Sequence, residues 1–225
     1  MSESIEDIEI RLLLDAVYRH YHYDFRKYAQ ASIKRRLLQA RAQWGFDSIS
    51  ELQAAVLRDE TMLQRLLNYL TVQVSEMFRD PSYFRALREK VVPHLRTYPS
   101  LKVWVAGCSH GEELYSLAIL FEEEGLADRT IFYATDINPS ALRAAQAGIY
   151  SLDRIRQFTE NHRLSGGHSS LSNYYTAHYD RAVFEKSLRE RTVFSDHSLV
   201  TDAAFGEMHL VSCRNVLIYF NRELQ

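Results

Sequence analysis

VWVAGCSHGEELYSLAIL, residues 103–120, is the stretch in which the sequence commits to a fold. It opens inside a β-rich run, Leu101–Ala106, that is too short for a helix. Gly107 and Gly111 then bracket a tight turn, and Leu114, Leu117, Ala118 and Phe121 recur at helical spacing. A second run, Thr130–Thr135 (TIFYAT), ends in Asp136, and Asn138-Pro139 supplies an N-cap followed by a first-turn proline. A third apolar run, Met208–Cys213, comes much later, and Asn221 is placed to cap one more helix. Strand, helix, strand, helix in succession predicts parallel βα units with right-handed crossovers, an α/β fold of the Rossmann-like kind.

The chain before this stretch reads as helical. Pro81 and Pro93 are its only prolines before Pro99. Leu12, Leu13, Ala16 and Val17 give an apolar stripe, and a second helix is expected over Arg26–Trp44, stopped by Gly45. Ser48 and Glu51 have capping-box spacing, a further helix is expected from Thr61 to about Tyr69, and Asp80-Pro81 should open another. These elements predict an N-terminal helical domain over about 1–75 and an α/β domain over 76–225. Residues from about 151 to 194 break the βα rhythm. Ser165–Ser170 has loop composition, and Tyr174, Tyr175, Tyr179, Val183 and Phe184 suggest short antiparallel strands, so a small β-subdomain is expected as an insertion.

Composition narrows the function classes. Hydrophobic residues make up 46 % and charged residues 25 % of the 225, enough apolar material for a core. The formal net charge of −2 argues against a nucleic-acid binder. Cys108 and Cys213 lack CxxC partners, so no metal site is expected and a reducing cytoplasm fits. The acidic N-terminus lacks the basic region of a signal peptide, and no apolar run is long enough to insert in a bilayer.

The glycine loop points to a ligand with positive character. Its spacing is GxxxG rather than the GxGxxG of dinucleotide binders. Glu112 and Glu113 at the start of the following helix would repel a phosphate but accept a sulfonium compound with a free amino group, unless they are only dipole-compatible first-turn acids. Asp136, directly after the second strand, stands where doubly wound folds place an acid on the hydroxyls of a ribose; it could equally be a capping partner beside Asn138. Together the two features favour an adenosine-containing ligand.

Three further segments carry a specific resemblance. YLTVQVSEMFRDPSYF (residues 69–84), GEELYS (111–116) and SCRNVLIYF (212–220) resemble the chemotaxis-receptor glutamate methyltransferases, the CheR family, with ATDIN (134–138) and AGIY (147–150) in support. The resemblance implies S-adenosyl-L-methionine as cofactor, S-adenosyl-L-homocysteine as product, and γ-methyl esters on receptor glutamates as the outcome. It implies that Gln73, Ser75 and Arg79 line the cofactor and acceptor site, and that Gly107 and Glu112 hold the methionine end. Asp136 would hold the ribose, Ser198 and Leu199 flank the adenine, and Arg214 and Asn215 follow the sheet. Arg79 and Tyr219 would face the reacting centre as the catalytic pair, Arg79 orienting the acceptor carboxylate. Three other roles stay open: Arg79 as a partner of Asp80, Tyr219 as core packing, and Asn215 as a cap of its turn.

This sequence departs from the family pattern at Gln73, Ser75, Met77, His110 and Leu114; the first two keep an amide and a hydroxyl. The family continues past the SCRNVLIYF segment with a helix and further strands, which are expected to be absent from a chain ending at Gln225. The partner implied is the acidic, helical cytoplasmic region of a chemoreceptor. Arg26, Lys27, Lys34, Arg35 and Arg36 would steer it electrostatically, unless they form only a solvated face. The alternatives are a methyltransferase for another substrate, weakened by Cys-Arg-Asn-Val standing where base methyltransferases carry a Pro-Pro-aromatic motif, and a non-catalytic regulator.

Overall fold

The computed structural model describes residues 3–225. Its contacts divide the chain into two compact units. One comprises the chain up to Val72 together with Ser198–Ala203 and Arg214–Gln225; the other comprises Gln73–His197 and Ala204–Cys213.

The first unit is built on α1 (Ile5–Tyr21), α2 (Gln30–Trp44), α3 (Ile49–Arg58) and α4 (Glu60–Leu70). Ile10, Leu13, Leu14 and Val17 form the buried stripe of α1. Leu12 lies off that stripe and is exposed, so the sequence-based phase was partly wrong: the 3.6-residue period selects Leu14, not Leu12. The other helices bury Ile33 and Leu37, Ile49, Leu52 and Val56, and Leu63, Leu66 and Leu67. Each such side chain contributes roughly 1.5–3 kcal/mol of burial free energy. Ser48 caps α3 through Glu51 N–H at 3.1 Å, as its spacing predicts, and Asp59 caps α4. The second helix starts at Gln30 rather than Arg26 because Tyr28 is drawn into an antiparallel bridge with Phe220. Ala29 N–H donates to the Tyr219 carbonyl and Asn221 N–H to the Lys27 carbonyl, both at 2.9 Å.

In the second unit α5 (Pro81–Ala86) runs through a π-turn at Leu87–Val91 into α6 (Val92–Leu95). Pro93 cannot donate, which suits a wider turn ahead of it. Asp80 does not cap α5 with its side chain as its type predicts; it takes a left-handed conformation, φ 57°, and Pro81 provides the start. Then follow β1 (Leu101–Ala106), α7 (Glu112–Glu123), β2 (Thr130–Asp136), α8 (Pro139–Ala147), β3 (Ile149–Ser151), α9 (Leu152–Leu164), β4 (Tyr175–His178), β5 (Arg181–Phe184), β6 (Thr192–Asp196) and β7 (Leu210–Ser212). The main sheet has the order β6-β2-β1-β7, all parallel, with Ala106 opposite Thr135 and Asp136 opposite Asp196. The chain moves from β1 outward to β2 and β6 and then returns to the other side of β1. That reversal makes the carboxyl end of β1 a switch point, the usual ligand crevice of such sheets.

A small antiparallel sheet, β3-β5-β4, sits in the expected insertion. Two elements there escaped the sequence reading. Residues 152–164 form a helix, and Thr192–Asp196 joins the main sheet beside β2. The strand is only half-buried, so it shows no continuous apolar run, and the helix is too polar for a strong stripe. The core of this unit includes Val103, Val105, Leu117, Leu120, Phe121, Phe132, Phe158 and Phe184.

Candidate functional site

The loop after β1 is anchored by main-chain bonds before any side chain acts. Gly107 and Cys108 N–H both donate to the Thr135 carbonyl, at 2.8 and 2.9 Å. Gly107 (φ 71°), Ser109 (φ 53°) and Gly111 (φ 93°) all turn through the left-handed region. At Gly111 a Cβ would come 3.0 Å from the Cβ of Ala145 on α8, so the close approach of α7 to α8 also requires glycine there.

Asp136 ends β2 and fastens this loop. Its Oδ2 accepts from Ser109 N–H at 2.8 Å and its Oδ1 from Asn138 N–H at 2.9 Å. Asn138 in turn caps α8 through Ser140 and Ala141. Both roles open to Asp136 therefore coexist: it braces the turn, and a carboxylate with about four acceptor positions keeps capacity for the hydroxyls of a ribose. Burial raises its pKa, and the bonds from Asn138 and Ser109 only partly offset this. Ser109 Oγ donates to Gln73 Oε1 at 2.5 Å, which ties the segment after α4 to the loop.

Glu112, the first residue of α7, is completely buried. Its Oε1 accepts from Arg154 Nη2 of α9 at 3.0 Å, while its Oε2 is buried with no hydrogen-bond partner among the described residues. Burial raises the Glu112 pKa; Arg154 and His110 pull the other way. A half-satisfied carboxyl in such a place suits a cationic donor, because its ionised form would otherwise be a costly, only partly paired buried charge. The amino group of a methionine moiety fits that requirement. His110, one of the departures from the family pattern, is half-buried, and a positive charge on it would favour the ionised forms of both Glu112 and Asp136. Its carbonyl accepts from Tyr150 Oη at 2.8 Å.

The segment carrying Arg79 is fixed by its neighbours. Met77 and Phe78 are fully buried, and Phe78 adopts φ 51°, a costly conformation for a bulky residue. Phe78 N–H donates to Ser116 Oγ at 2.8 Å, and Ser116 donates to the Glu112 carbonyl at 2.6 Å. The Ser75 carbonyl accepts from Arg154, and the Met77 carbonyl from Asn161 Nδ2 at 3.0 Å. Hydrogen bonds thus link Gln73, Ser75, Glu112 and Asp136 around the Gly107 loop, and Arg79 follows directly on Phe78, half-buried.

The other sequence-selected residues belong to the first compact unit. Ser198 is buried, and its Oγ accepts from Val200 and Thr201 N–H at 3.3 Å; Leu199 is half-buried. Arg214 and Tyr219 are half-buried, and Asn215 is exposed with φ 57°, consistent with a turn-forming residue. On the basic segment, Arg26 pairs with Asp24 at 2.9 Å, Lys34 with Asp7 at 2.6 Å and Lys27 with Glu223 at 3.7 Å. Arg36 donates to the Tyr69 carbonyl at 3.0 Å, whereas Arg35 is exposed and makes no hydrogen bond or ion pair among the described residues. Much of this charge is therefore neutralised within its own unit.

Sequence reasoning missed Arg154, Ser116 and Asn161. No motif marks Arg154 or Asn161, and Ser116 lies within GEELYS without its role being legible there, because the partners they hold around the Arg79 segment and Glu112 stand at least 38 positions away.

Comparisons with known proteins converge. Residues 73–225 match the family described as CheR methyltransferase, SAM binding domain, and residues 8–71 match CheR methyltransferase, all-alpha domain. A Pseudomonas putida protein named "Putative methyltransferase Cher3" is 58 % identical over 224 residues, covering 100 % of this chain and 82 % of its own length. A "Chemotaxis protein methyltransferase" of Listeria monocytogenes is 31 % identical over 209 residues, covering 92 % of this chain and 77 % of its own length. "Chemotaxis protein methyltransferase 1" of Pseudomonas aeruginosa is 30 % identical over 208 residues, covering 87 % and 73 %.

Proposed function

The chain belongs to the CheR methyltransferase family, with S-adenosyl-L-methionine as its cofactor, and from that premise we propose that it methylates the γ-carboxylate of glutamates on chemoreceptors. The observation that carries the site is the buried Glu112 carboxylate, one oxygen held by Arg154 and the other without a partner among the described residues, beside the Asp136-braced loop. Support for the acceptor comes from the relatives named chemotaxis protein methyltransferase.

The bound cofactor supplies an electrophilic methyl on a sulfonium whose departure leaves a neutral thioether. Glutamate has an ordinary pKa of about 4.3, so the acceptor is already ionised near neutral pH and the protein need supply no base. What remains is orientation: nucleophile and methyl must be held in line at near-attack distance. Glu112 would hold the amino group, Asp136 the ribose, and the rigid segment up to Phe78 would present Arg79. Its guanidinium orients a carboxylate without removing its nucleophilicity. Arg35, with its neighbours on α2, is the positive surface offered to an acidic receptor helix, and the work is done in the cytoplasm.

The test is transfer of a radiolabelled methyl from the cofactor to a receptor cytoplasmic fragment, followed by mild alkali. A γ-methyl ester releases its label as methanol. Alkali-stable label, or none from folded protein that binds S-adenosyl-L-homocysteine, would overturn the acceptor assignment.

A further inference from the structure

We propose that Arg154 and Asn161 of α9 are positioning residues that latch the Arg79-bearing segment onto the methionine end of the site, Arg154 also holding Glu112 in register. The two lie seven positions apart, close to two helical turns, and so share one face of α9. They take main-chain carbonyls two residues apart on the segment: Arg154 that of Ser75, Asn161 that of Met77. Asn161 is buried and is itself oriented by Gln157 Nε2, 2.8 Å from its Oδ1. The Arg154 guanidinium is held over the Phe158 ring, 4.9 Å from its centroid. Neither side chain therefore has much freedom to lose when it makes these bonds.

The segment needs such restraint. A left-handed Phe78 is strained and persists only where its surroundings over-determine it. Ser116 holds the Phe78 N–H from α7, and the Phe78 ring packs against Phe84 and His162 at 5.2 and 4.8 Å between centroids. Arg154 and Asn161 complete the restraint from α9. They fix the Ser75 and Met77 carbonyls, three positions and one position before Phe78, and so the direction in which Arg79 leaves the chain.

Arg154 does a second thing that a purely structural tie would not. It gives Glu112 one charged partner and leaves Oε2 for the ligand. The other titratable groups acting on or with Glu112 are His110 on the glycine loop, Cys108 beside it and Tyr150 on β3. Of these only His110 can join Arg154 in favouring the carboxylate form. Loss of Arg154 should therefore make Glu112 harder to ionise, and ligand binding should fail at a higher pH than in the parent.

This inference rests on the placing of the methionine end at Glu112 and not on the identity of the methyl acceptor. Its test uses no acceptor. Hydrogen exchange of peptides covering residues 73–80 is measured on the ligand-free full chain, and S-adenosyl-L-homocysteine binding is titrated calorimetrically from pH 5 to 8. Arg154→Gln should speed exchange of the segment about tenfold and move the acid limb of binding upward by about one pH unit. Arg154→Lys, which keeps the charge but not the planar fork, should restore the acid limb while leaving the segment fast-exchanging. Asn161→Leu should speed exchange without moving the limb. His110 is present in all variants, so differences between them report Arg154 alone. Unchanged exchange in folded Arg154→Gln and Asn161→Leu overturns the latch. An unmoved acid limb in Arg154→Gln overturns the part assigned to Glu112. If the parent binds no S-adenosyl-L-homocysteine while the exchange pattern is as stated, the placing of the methionine end fails and the latch stands.

Discussion

Replacing Glu123 by glutamine should cost the second unit about 3 kcal/mol at neutral pH, and most of that cost should vanish in acid. Glu123 closes α7 with a side chain only 2 % exposed. Its Oε2 pairs with Arg88, while its Oε1 accepts from His162 Nε2 at 3.0 Å and from the N–H groups of His168 and Ser169 at 3.1 and 3.2 Å. Burial alone would push this carboxyl up, but His162 and Arg88 outweigh it and bring its pKa from 4.5 down to about 2. A difference of about 2.5 pH units between unfolded and folded chains corresponds to about 3.4 kcal/mol. Because the folded value is the lower one, the stabilisation is fully present above about pH 4.5 and is lost as pH falls through 2. By pH 3 roughly half should be gone. Urea unfolding of parent and Glu123→Gln, followed by circular dichroism at pH 6 and pH 3, measures the gap at both ends. A gap below about 1 kcal/mol at pH 6 would mean that the Arg88–Glu123–His162 cluster only breaks even against its desolvation. A gap that stays constant with pH would mean that the carboxylate charge is not what stabilises the loop. Either result refutes the reasoning.

Asp136→Ala should weaken S-adenosyl-L-homocysteine binding at least about tenfold by calorimetry, since it removes both the ribose acceptor and the brace on Ser109. Asp136→Asn, which keeps one acceptor oxygen, should fall in between; equal affinity in all three would remove Asp136 from the site. Binding to the parent should release protons at acid pH, because burial raises the pKa of Glu112 and Asp136, the ligand's ammonium group favours the ionised form of Glu112, and its ribose hydroxyls donate to the ionised form of Asp136. Titration in buffers of different ionisation heat detects this, and proton uptake would contradict it. Gly148→Ala should lower the thermal midpoint by several degrees, because φ is 65° there and a Cβ would stand 2.2 Å from Tyr115 Oη. An unchanged midpoint would show that the Tyr115 hydroxyl, bonded to the Ala145 carbonyl at 3.0 Å, moves freely. Arg35→Glu should slow receptor methylation and reduce its salt dependence while leaving S-adenosyl-L-homocysteine affinity unchanged; unaltered methylation would take α2 out of receptor recognition.

What the sequence determined by itself was whatever short-range chemistry specifies. The Asn138-Pro139 cap, the Ser48–Glu51 pairing, the glycine loop between β1 and α7 and the acid after β2 are each set by residues a few positions apart. The family likeness rests on the same kind of local motif and by itself implies the cofactor. The tertiary structure decided what depends on residues far apart in the chain. It turned Asp136 into the fastener of the Ser109 loop, and it gave Glu112 one satisfied and one unsatisfied oxygen by bringing Arg154 from 42 positions away. It also paired Lys34 with Asp7, 27 positions distant, so that a basic run in sequence is largely a neutralised surface in space. Helix α9 and strand β6 stayed hidden for the same reason. Their residues are too polar or too exposed to announce a period, and only packing against β2, α7 and the Arg79 segment selects their conformation.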